Sequence, residues 1–351
     1  MAIQATNVAD IMRITLRDLG KFKWSDIGAT DLQEYVVLPR VLKKEKVLFQ
    51  SGTEMQFNVM VADGGQARHI GLFEKDVISV PDVMRQGTNP WRHTRTFWAL
   101  ERRLVAMNRD PSKIVDYAKT QRIASMISYA KKFETAFCGL SSATDDTTPF
   151  GIFNYIVPKV TGSSASTSTG EFGGTVPSGF TTVSGLSSTD YPMWANWTHQ
   201  YVEVSESDAV DKMDLAALKT EWSSPVPIPD YASGGHRCEI WCNTNTYRAY
   251  RKVARDQNEN LGYDVNAGAG KATFNGYPIR RIPALDANTN ATDPIIGIDW
   301  AHFGIGVLEG EYLNEDGPIQ LPDQPSVTKM VVDTTWNTYC RSRRNQWILA
   351  K

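Results

Sequence analysis

Hydrophobic residues change their spacing twice in the first 140 positions of this 351-residue chain. From Val47 to Val61 apolar and polar residues mostly alternate, which predicts a strand with one buried face. Asp63-Gly64-Gly65 predicts a turn, and residues 66–80 predict a second strand that returns beside the first. Because two strands alone are marginally stable in water, the hairpin needs a covering surface. Either the chain's own core or a neighbouring subunit could provide it.

A long helix is predicted after this hairpin. Asp110 suits the N-cap, Pro111 the first helical position and Gly139 the C-terminal stop. Apolar residues between them recur mostly at steps of three and four, which predicts one apolar stripe on a helix of about 40 Å. We expect this spine helix to lie across a sheet. Its expected core positions are Ile114, Ile123, Ile127, Phe133 and Phe137.

The rest of the chain indicates a mixture of strands and shorter helices. Residues 1–40 lack a core of their own and read as an arm. Residues 161–185 are rich in Gly, Ser and Thr and predict a surface loop. Helices are expected at 208–222 and 244–256, and a hairpin turn at Asn275-Gly276. Strands are expected at 89–108, 148–157, 236–243, 294–299, 304–313, 326–340 and 345–350. This order predicts an α+β fold.

Composition and motifs narrow the function classes. The net charge of −2 does not favour a dedicated nucleic-acid binder, and no apolar run approaches the length of a membrane span. No tight His, Cys and carboxylate grouping predicts a metal, and Asp286, Asn288 and Asn290 begin a calcium-loop pattern that then fails at Ala291. No catalytic or dinucleotide motif is present. We therefore expect no cofactor, no metal and no enzymatic site.

Five segments together resemble a known family: 16–35 (LRDLGKFKWSDIGATDLQEY), 66–76 (QARHIGLFEKD), 90–103 (PWRHTRTFWALERR), 257–264 (QNENLGYD) and 336–348 (WNTYCRSRRNQWI). They are similar to the major capsid proteins of tailed bacteriophages, whose fold encapsulin shells also use. The resemblance implies the tailed-phage major capsid fold. Its parts here would be an N-terminal arm at 1–43, an extended β-hairpin loop at 44–85, a peripheral domain with the spine helix at 86–145, an α/β axial domain at 146–324, and C-terminal strands at 325–351 that return to the peripheral domain.

The resemblance also implies a function. The chain would be a structural protein that assembles through hexamers and pentamers into an icosahedral shell around a double-stranded DNA genome. Its partners would be copies of itself, a separate scaffolding protein, a portal, in some relatives a decoration protein, and packaged DNA in non-specific contact, with no membrane. Its place would be the virion capsid, assembled in the host cytoplasm. The expected inter-subunit contacts on the extended loop are Val47, Phe49, Phe57, Val59, His69 and Phe73.

Two other interpretations remain open at this stage. An encapsulin-like cellular compartment would use the same fold to enclose a cargo enzyme. A monomeric enzyme, whose Asp and His residues converge only in space, is the third interpretation. Nucleic acid or cargo inside native particles separates the first two, and the absence of any particle would favour the third.

Overall fold

The computed structural model describes residues 37–41, 47–62, 67–72, 82–103, 111–159, 169–220, 222, 238–259, 273–275 and 277–351. Its strands are β1 (Leu48–Gln50), β2 (Glu54–Met60), β3 (Met84–Pro90), β4 (Arg92–Glu101), β5 (Thr169–Gly174), β6 (Asn196–Gln200), β7 (Cys238–Cys242), β8 (Thr273–Phe274), β9 (Tyr277–Arg281), β10 (Ile295–Asp299), β11 (Phe303–Leu308), β12 (Asn314–Leu321), β13 (Gln324–Cys340) and β14 (Trp347–Ala350). Its helices are Leu38–Val41, the spine helix Pro111–Phe137, Ile152–Tyr155, the Asp211 helix (Asp211–Lys219, preceded by a π-helical turn, Glu206–Val210) and the Thr244 helix (Thr244–Glu259), with a 3-10 turn at Pro283–Leu285.

The first sheet is organised around the long strand β13. β4 pairs with β13 antiparallel along ten residues, from Glu101 opposite Val327 to Arg92 opposite Trp336. β12 and β11 also pair with β13, and β1 joins β11 in parallel. The spine helix packs on one face of this sheet, where Ala118 meets a small cluster of buried side chains from β4 and β13. The other face stays partly exposed.

The second sheet has seven strands in the order β5-β6-β14-β10-β7-β9-β8. All four residues of β14 are buried, as expected for a central strand with both faces covered. The Asp211 helix lies over this sheet and buries Met213, Ala216 and Ala217. β14 pairs with β10 on one side and with β6 on the other. The two C-terminal strands therefore belong to different sheets: β13 pairs with β4 in the first sheet, and β14 lies in the second.

Aromatic side chains connect the spine helix to both sheets. The Phe133 ring lies 4.4 Å from that of Trp336 on β13, and the Phe137 ring lies 6.1 Å from that of Trp241 on β7. The helix begins at Pro111 and ends at Phe137, as predicted, but Asp110 lies outside the described residues and Gly139 has no positive φ, so it does not supply a left-handed stop. Within the described residues no helix is long and apolar enough to cross a membrane. The α+β class predicted from the sequence is confirmed by this arrangement.

Three predictions about local structure are wrong. The second strand of the hairpin is β3 and not 66–80: residues 67–72 form no strand, while 63–66 and 73–81 lie outside the described residues. The strand predicted at 148–157 contains the short helix Ile152–Tyr155, because a short apolar run does not distinguish helix from strand. The loop predicted at 161–185 contains β5, whose Gly-rich sequence carries no strand signal.

Candidate assembly surfaces

The extended hairpin consists of β2 and β3. The two strands pair antiparallel from Glu54 opposite Pro90 to Met60 opposite Met84. A further hydrogen bond runs from the Val61 N–H to the Val83 carbonyl. Side chains of β2 alternate strictly between buried and exposed, as the sequence pattern predicts. The hairpin therefore has an inner face and an outer face.

The inner face is covered by the subunit's own core. Phe57 lies over Gly87, and its ring centroid is 6.0 Å from that of Tyr339. Phe57, Val59 and Val47 all belong to the main hydrophobic core of the subunit. The expectation that these three side chains contact a neighbouring subunit is thus corrected, because buried side chains have no surface left to offer. The hairpin could be covered by the chain's own core or by a neighbouring subunit, and in this structure the chain's own core covers its inner face.

The outer face of the hairpin is polar along most of its length, with Glu54, Gln56 and Asn58 exposed, but large apolar side chains are exposed at Met60, at Met84 and in the segment 67–72 between the strands. Met60 and Met84 stand directly opposite each other, with 67% and 58% of their surface exposed. In the loop beyond them Ile70 is exposed and Leu72 is 90% exposed. Met60 and Met84 form an exposed apolar pair across the two strands, and exposed apolar surface of this kind indicates an interaction site. We call Met60, Ile70, Leu72 and Met84 the outer patch.

The other predicted contact residues occupy different positions. Phe49 is 41% exposed and packs edge-on against Tyr312, with ring centroids 5.9 Å apart. His69 is exposed beside the outer patch. Phe73 lies outside the described residues. Phe49 and His69 are therefore placed where a neighbouring subunit can reach them.

The predicted core positions of the spine helix differ in burial. Phe133 and Phe137 are completely buried, while Ile123 and Ile127 are only partly buried. Ile114 lies within the helix, but its side chain is outside the described set. The C-terminal half of the helix carries the aromatic contacts with both sheets. Core packing is thus concentrated at Phe133 and Phe137.

A buried carboxylate anchors the first described residues to the spine helix. Oε1 of Glu134 accepts the backbone N–H groups of Val37 at 2.6 Å and Leu38 at 3.2 Å. Burial raises the pKa of the Glu134 carboxyl to about 7, and these two hydrogen bonds oppose the rise. Sequence reasoning missed this residue. Its signal was a carboxylate one turn from Ala130 and Cys138 and next to Phe133, inside the apolar stripe.

A second buried charge, Arg343, holds the loop between β13 and β14. Its guanidinium donates to the main-chain carbonyls of Tyr155, Gly174, Thr175 and Trp194. Burial lowers the pKa of Arg343 to about 10, so the group remains charged at neutral pH. In the sequence, Arg343 stands in a basic group with Arg341 and Arg344 that is typical of a solvated or interface patch, and its complete burial shows that this interpretation is wrong for Arg343. Arg343 joins the short helix at Ile152–Tyr155 to the end of β5 and fixes the connection between the two sheets.

The described residues contain no side-chain cluster suited to metal binding. No group of three His, Cys, Asp or Glu side chains in this part of the chain could hold a metal ion. All four cysteines are free and buried, and burial raises the pKa of the Cys242 and Cys340 thiols to about 12. The carboxylate of Asp286 accepts the N–H and hydroxyl of Thr244 and so supports a helix start.

Known structures with the same fold are shells. No protein-family model and no curated relative matches the sequence. The capsid asymmetric unit of cyanophage A-1(L) superposes with a TM-score of 0.61 at 12% identity, covering 90% of this chain and 92% of that one. The capsid of a native GTA particle gives 0.55 at 13% identity over 90% of each chain, and that of an empty GTA particle 0.51 at 14% over 89% and 95%. The chain has the fold of phage major capsid proteins.

Proposed function

We propose that this chain is a phage shell subunit, a non-enzymatic protein that self-assembles through hexamers and pentamers into an icosahedral capsid around double-stranded DNA. The observation that carries the proposal is the outer patch. Its side chains are exposed in the single subunit, on a hairpin whose other face the subunit itself covers. Burying them against a neighbour would stabilise the contact by about 25 cal/mol for each Å² of apolar surface removed from water.

The division into parts follows the capsid fold. In this proposal the arm is 1–43, the extended loop 44–85, the peripheral domain 86–145 and the axial domain 146–324, and the strands of 325–351 close the chain. β3 continues the extended loop to Pro90, so the loop is held to the body of the subunit by a full strand. Glu134 holds the backbone of Val37 and Leu38, within the proposed arm, against the spine helix.

Contacts around the capsomer axis are assigned to the second sheet. The Asp211 helix exposes Leu215 and Leu218 on one face, and Val202 is exposed nearby in the sequence. These apolar side chains are available for a neighbouring copy. A separate scaffolding protein and a portal complete the assembly in this proposal, with a decoration protein as an optional addition. The shell would form in the host cytoplasm and remain as the virion capsid.

Electron microscopy and sedimentation of the purified full-length chain test this function, with and without candidate scaffolding protein. Closed particles or capsomer rings are expected, and native particles should contain DNA. Particles that enclose an enzyme would assign the same fold to an encapsulin-like compartment. A single small species under all conditions would contradict the proposal.

A further inference from the structure

A basic cavity lies where the Thr244 helix meets the second sheet. β7 is followed in the chain by the Thr244 helix, then β8 and β9, and β7 and β9 are parallel, with Cys242 opposite Arg281. The helix therefore starts beside the carboxyl ends of both strands, where α/β units commonly bind ligands. A cavity of about 300 Å³ is lined there by Thr244, Tyr247, Arg248, Arg251 and Arg281.

The cavity lining is entirely cationic or neutral. Arg248, Arg251 and Arg281 are exposed, and no carboxylate belongs to the lining. Among the described residues, neither Arg248 nor Arg281 forms an ion pair within 4.0 Å. The nearest acidic group on the helix start, Asp286, is held by the N–H and hydroxyl of Thr244. The described lining of the cavity, with three arginines, is therefore net positive.

Positive charge is concentrated on the Thr244 helix, although the chain as a whole is slightly negative. The helix carries Arg248, Arg251, Lys252 and Arg255 before its first acidic residue, Asp256, whereas the whole chain has a net charge of −2. Thr244, Arg248 and Arg251 are spaced so that they share one helix face. A basic stripe on a nearly neutral protein is the electrostatic footprint of a polyanion contact.

We infer that this cavity binds backbone phosphates of double-stranded DNA, so that the Thr244 helix is the contact between the shell wall and its contents. The inference rests on the proposed function. Arginine guanidinium groups match phosphate geometry, and binding without base contacts requires no sequence recognition. Such contacts depend on charge alone and weaken steeply with salt.

The chemistry of the cavity favours DNA over an acidic protein segment. Protein interfaces have an apolar core from which charged residues are depleted. The cavity has the reverse composition, and none of the large exposed apolar side chains of the described residues belongs to the Thr244 helix or to β9. Several of these apolar side chains belong instead to the outer patch and to the Asp211 helix. Contacts between subunits and contact with DNA are thus assigned to different surfaces.

Titration of unassembled full-length protein with a short mixed-sequence duplex DNA, followed by fluorescence anisotropy, tests the inference. The variant R248Q/R281Q should bind at least about tenfold more weakly at about 50 mM salt, and the slope of log K against log salt should fall by about two. R248K/R281K should retain binding, because point charges suffice for phosphate. K131Q/K219Q removes the same charge from exposed positions outside the cavity and should bind as wild type.

The outcomes separate this inference from the proposed function. Equal DNA binding by R248Q/R281Q and K131Q/K219Q would overturn the DNA contact, even if both variants form closed particles. Loss of particles by R248Q/R281Q alone, with DNA binding unchanged, would also overturn it and would assign the arginines to a contact between subunits. If wild-type protein binds DNA through these arginines but never forms particles, the DNA contact stands and the shell function fails.

Discussion

The Glu134 carboxylate receives the backbone N–H of Val37 at 2.6 Å, across 97 positions of sequence. This contact fixes the start of the described chain on the spine helix, close to the stacked rings of Phe133 and Phe137. It also places an ionisable group in an apolar environment, where the charged form is disfavoured. The attachment of the arm is thereby coupled to pH.

Glu134→Gln should remove a pH-dependent part of the stability. The pKa of Glu134 rises from 4.5 to about 7 on folding, so the folded state keeps a proton that the unfolded state releases in that window. The free energy of unfolding therefore falls as pH rises from about 4.5 to about 7, by up to about 1.4 kcal/mol per pH unit. Gln keeps the acceptor oxygen and should abolish this fall.

Urea denaturation of the unassembled subunit across this pH range measures the effect. Taking the difference in the free energy of unfolding between wild type and Glu134→Gln at each pH removes the contribution of the other carboxyl groups, which both proteins share. Glu134→Ala serves as the control that loses the acceptor, and it should be less stable than Glu134→Gln at every pH. Parallel curves for wild type and Glu134→Gln would show that Glu134 has an ordinary pKa.

Gly87→Ala should disturb the inner face of the hairpin. A Cβ at this position would lie 2.7 Å from Cε2 of Phe57. Overpacking of this kind costs about 1–3 kcal/mol. Phe57→Leu makes room, so the double variant should lose less stability than the sum of the two single variants. Thermal or urea unfolding of all four proteins measures this coupling, and strictly additive losses would contradict the contact.

Arg343→Met should destabilise the connection between the two sheets. Four main-chain carbonyls would lose their donor, and each unsatisfied buried group costs about 1–3 kcal/mol, so a loss of at least about 3 kcal/mol is expected. Arg343→Lys should recover only part of it, because an ammonium cannot reach all four acceptors. Arg341→Met, two residues earlier and exposed, is the matched control for denaturation. Equal stability of the Arg343 and Arg341 variants would refute this role.

Met84→Asp should affect shell assembly without affecting subunit stability, whereas Phe57→Asp should affect the stability of the subunit itself. Met84 belongs to the exposed outer patch, so its change should leave subunit stability within about 0.5 kcal/mol of wild type while preventing shell formation. Phe57 is buried, so a charge there should unfold or strongly destabilise the subunit itself. Asn245→Asp adds the same charge at an exposed site elsewhere and should do neither. Denaturation and particle counts by electron microscopy are the two measurements, and normal shells from Met84→Asp would remove the outer patch from assembly.

Sequence reasoning succeeded where the signal is local. Pro111 and the three- and four-residue spacing of apolar residues predict the spine helix without reference to the rest of the fold. β3 escaped detection because two of its inward positions are Gly87 and Asn89 and its outer ones are mostly polar. Asn89 is buried through hydrogen bonds to Tyr155 and to the Thr338 carbonyl, which are distant in sequence. No local pattern could indicate that pairing.

The apolar face of β2 that the sequence assigns to a neighbouring subunit is the face that the subunit's own core covers. The alternation of apolar and polar residues distinguishes the two faces of β2. It does not show whether the subunit's own core or a neighbouring subunit covers the apolar face. The covering side chain, Tyr339, lies near the far end of the chain and meets Phe57 only after folding. Met60 and Met84 do not stand out in the sequence, because nothing in the pattern of apolar and polar residues indicates that these two side chains are exposed. The outer patch therefore emerges only from the three-dimensional structure.

The most direct test of the whole account is a cryo-electron microscopy reconstruction of particles formed by the full-length chain. The account predicts a closed icosahedral shell in which Met60, Leu72 and Met84 are buried against a neighbouring copy, while Phe57 stays in the core of its own subunit. A shell in which the outer patch faces solvent would contradict the assignment of that contact. Preparations that contain only separate subunits would contradict the shell function itself.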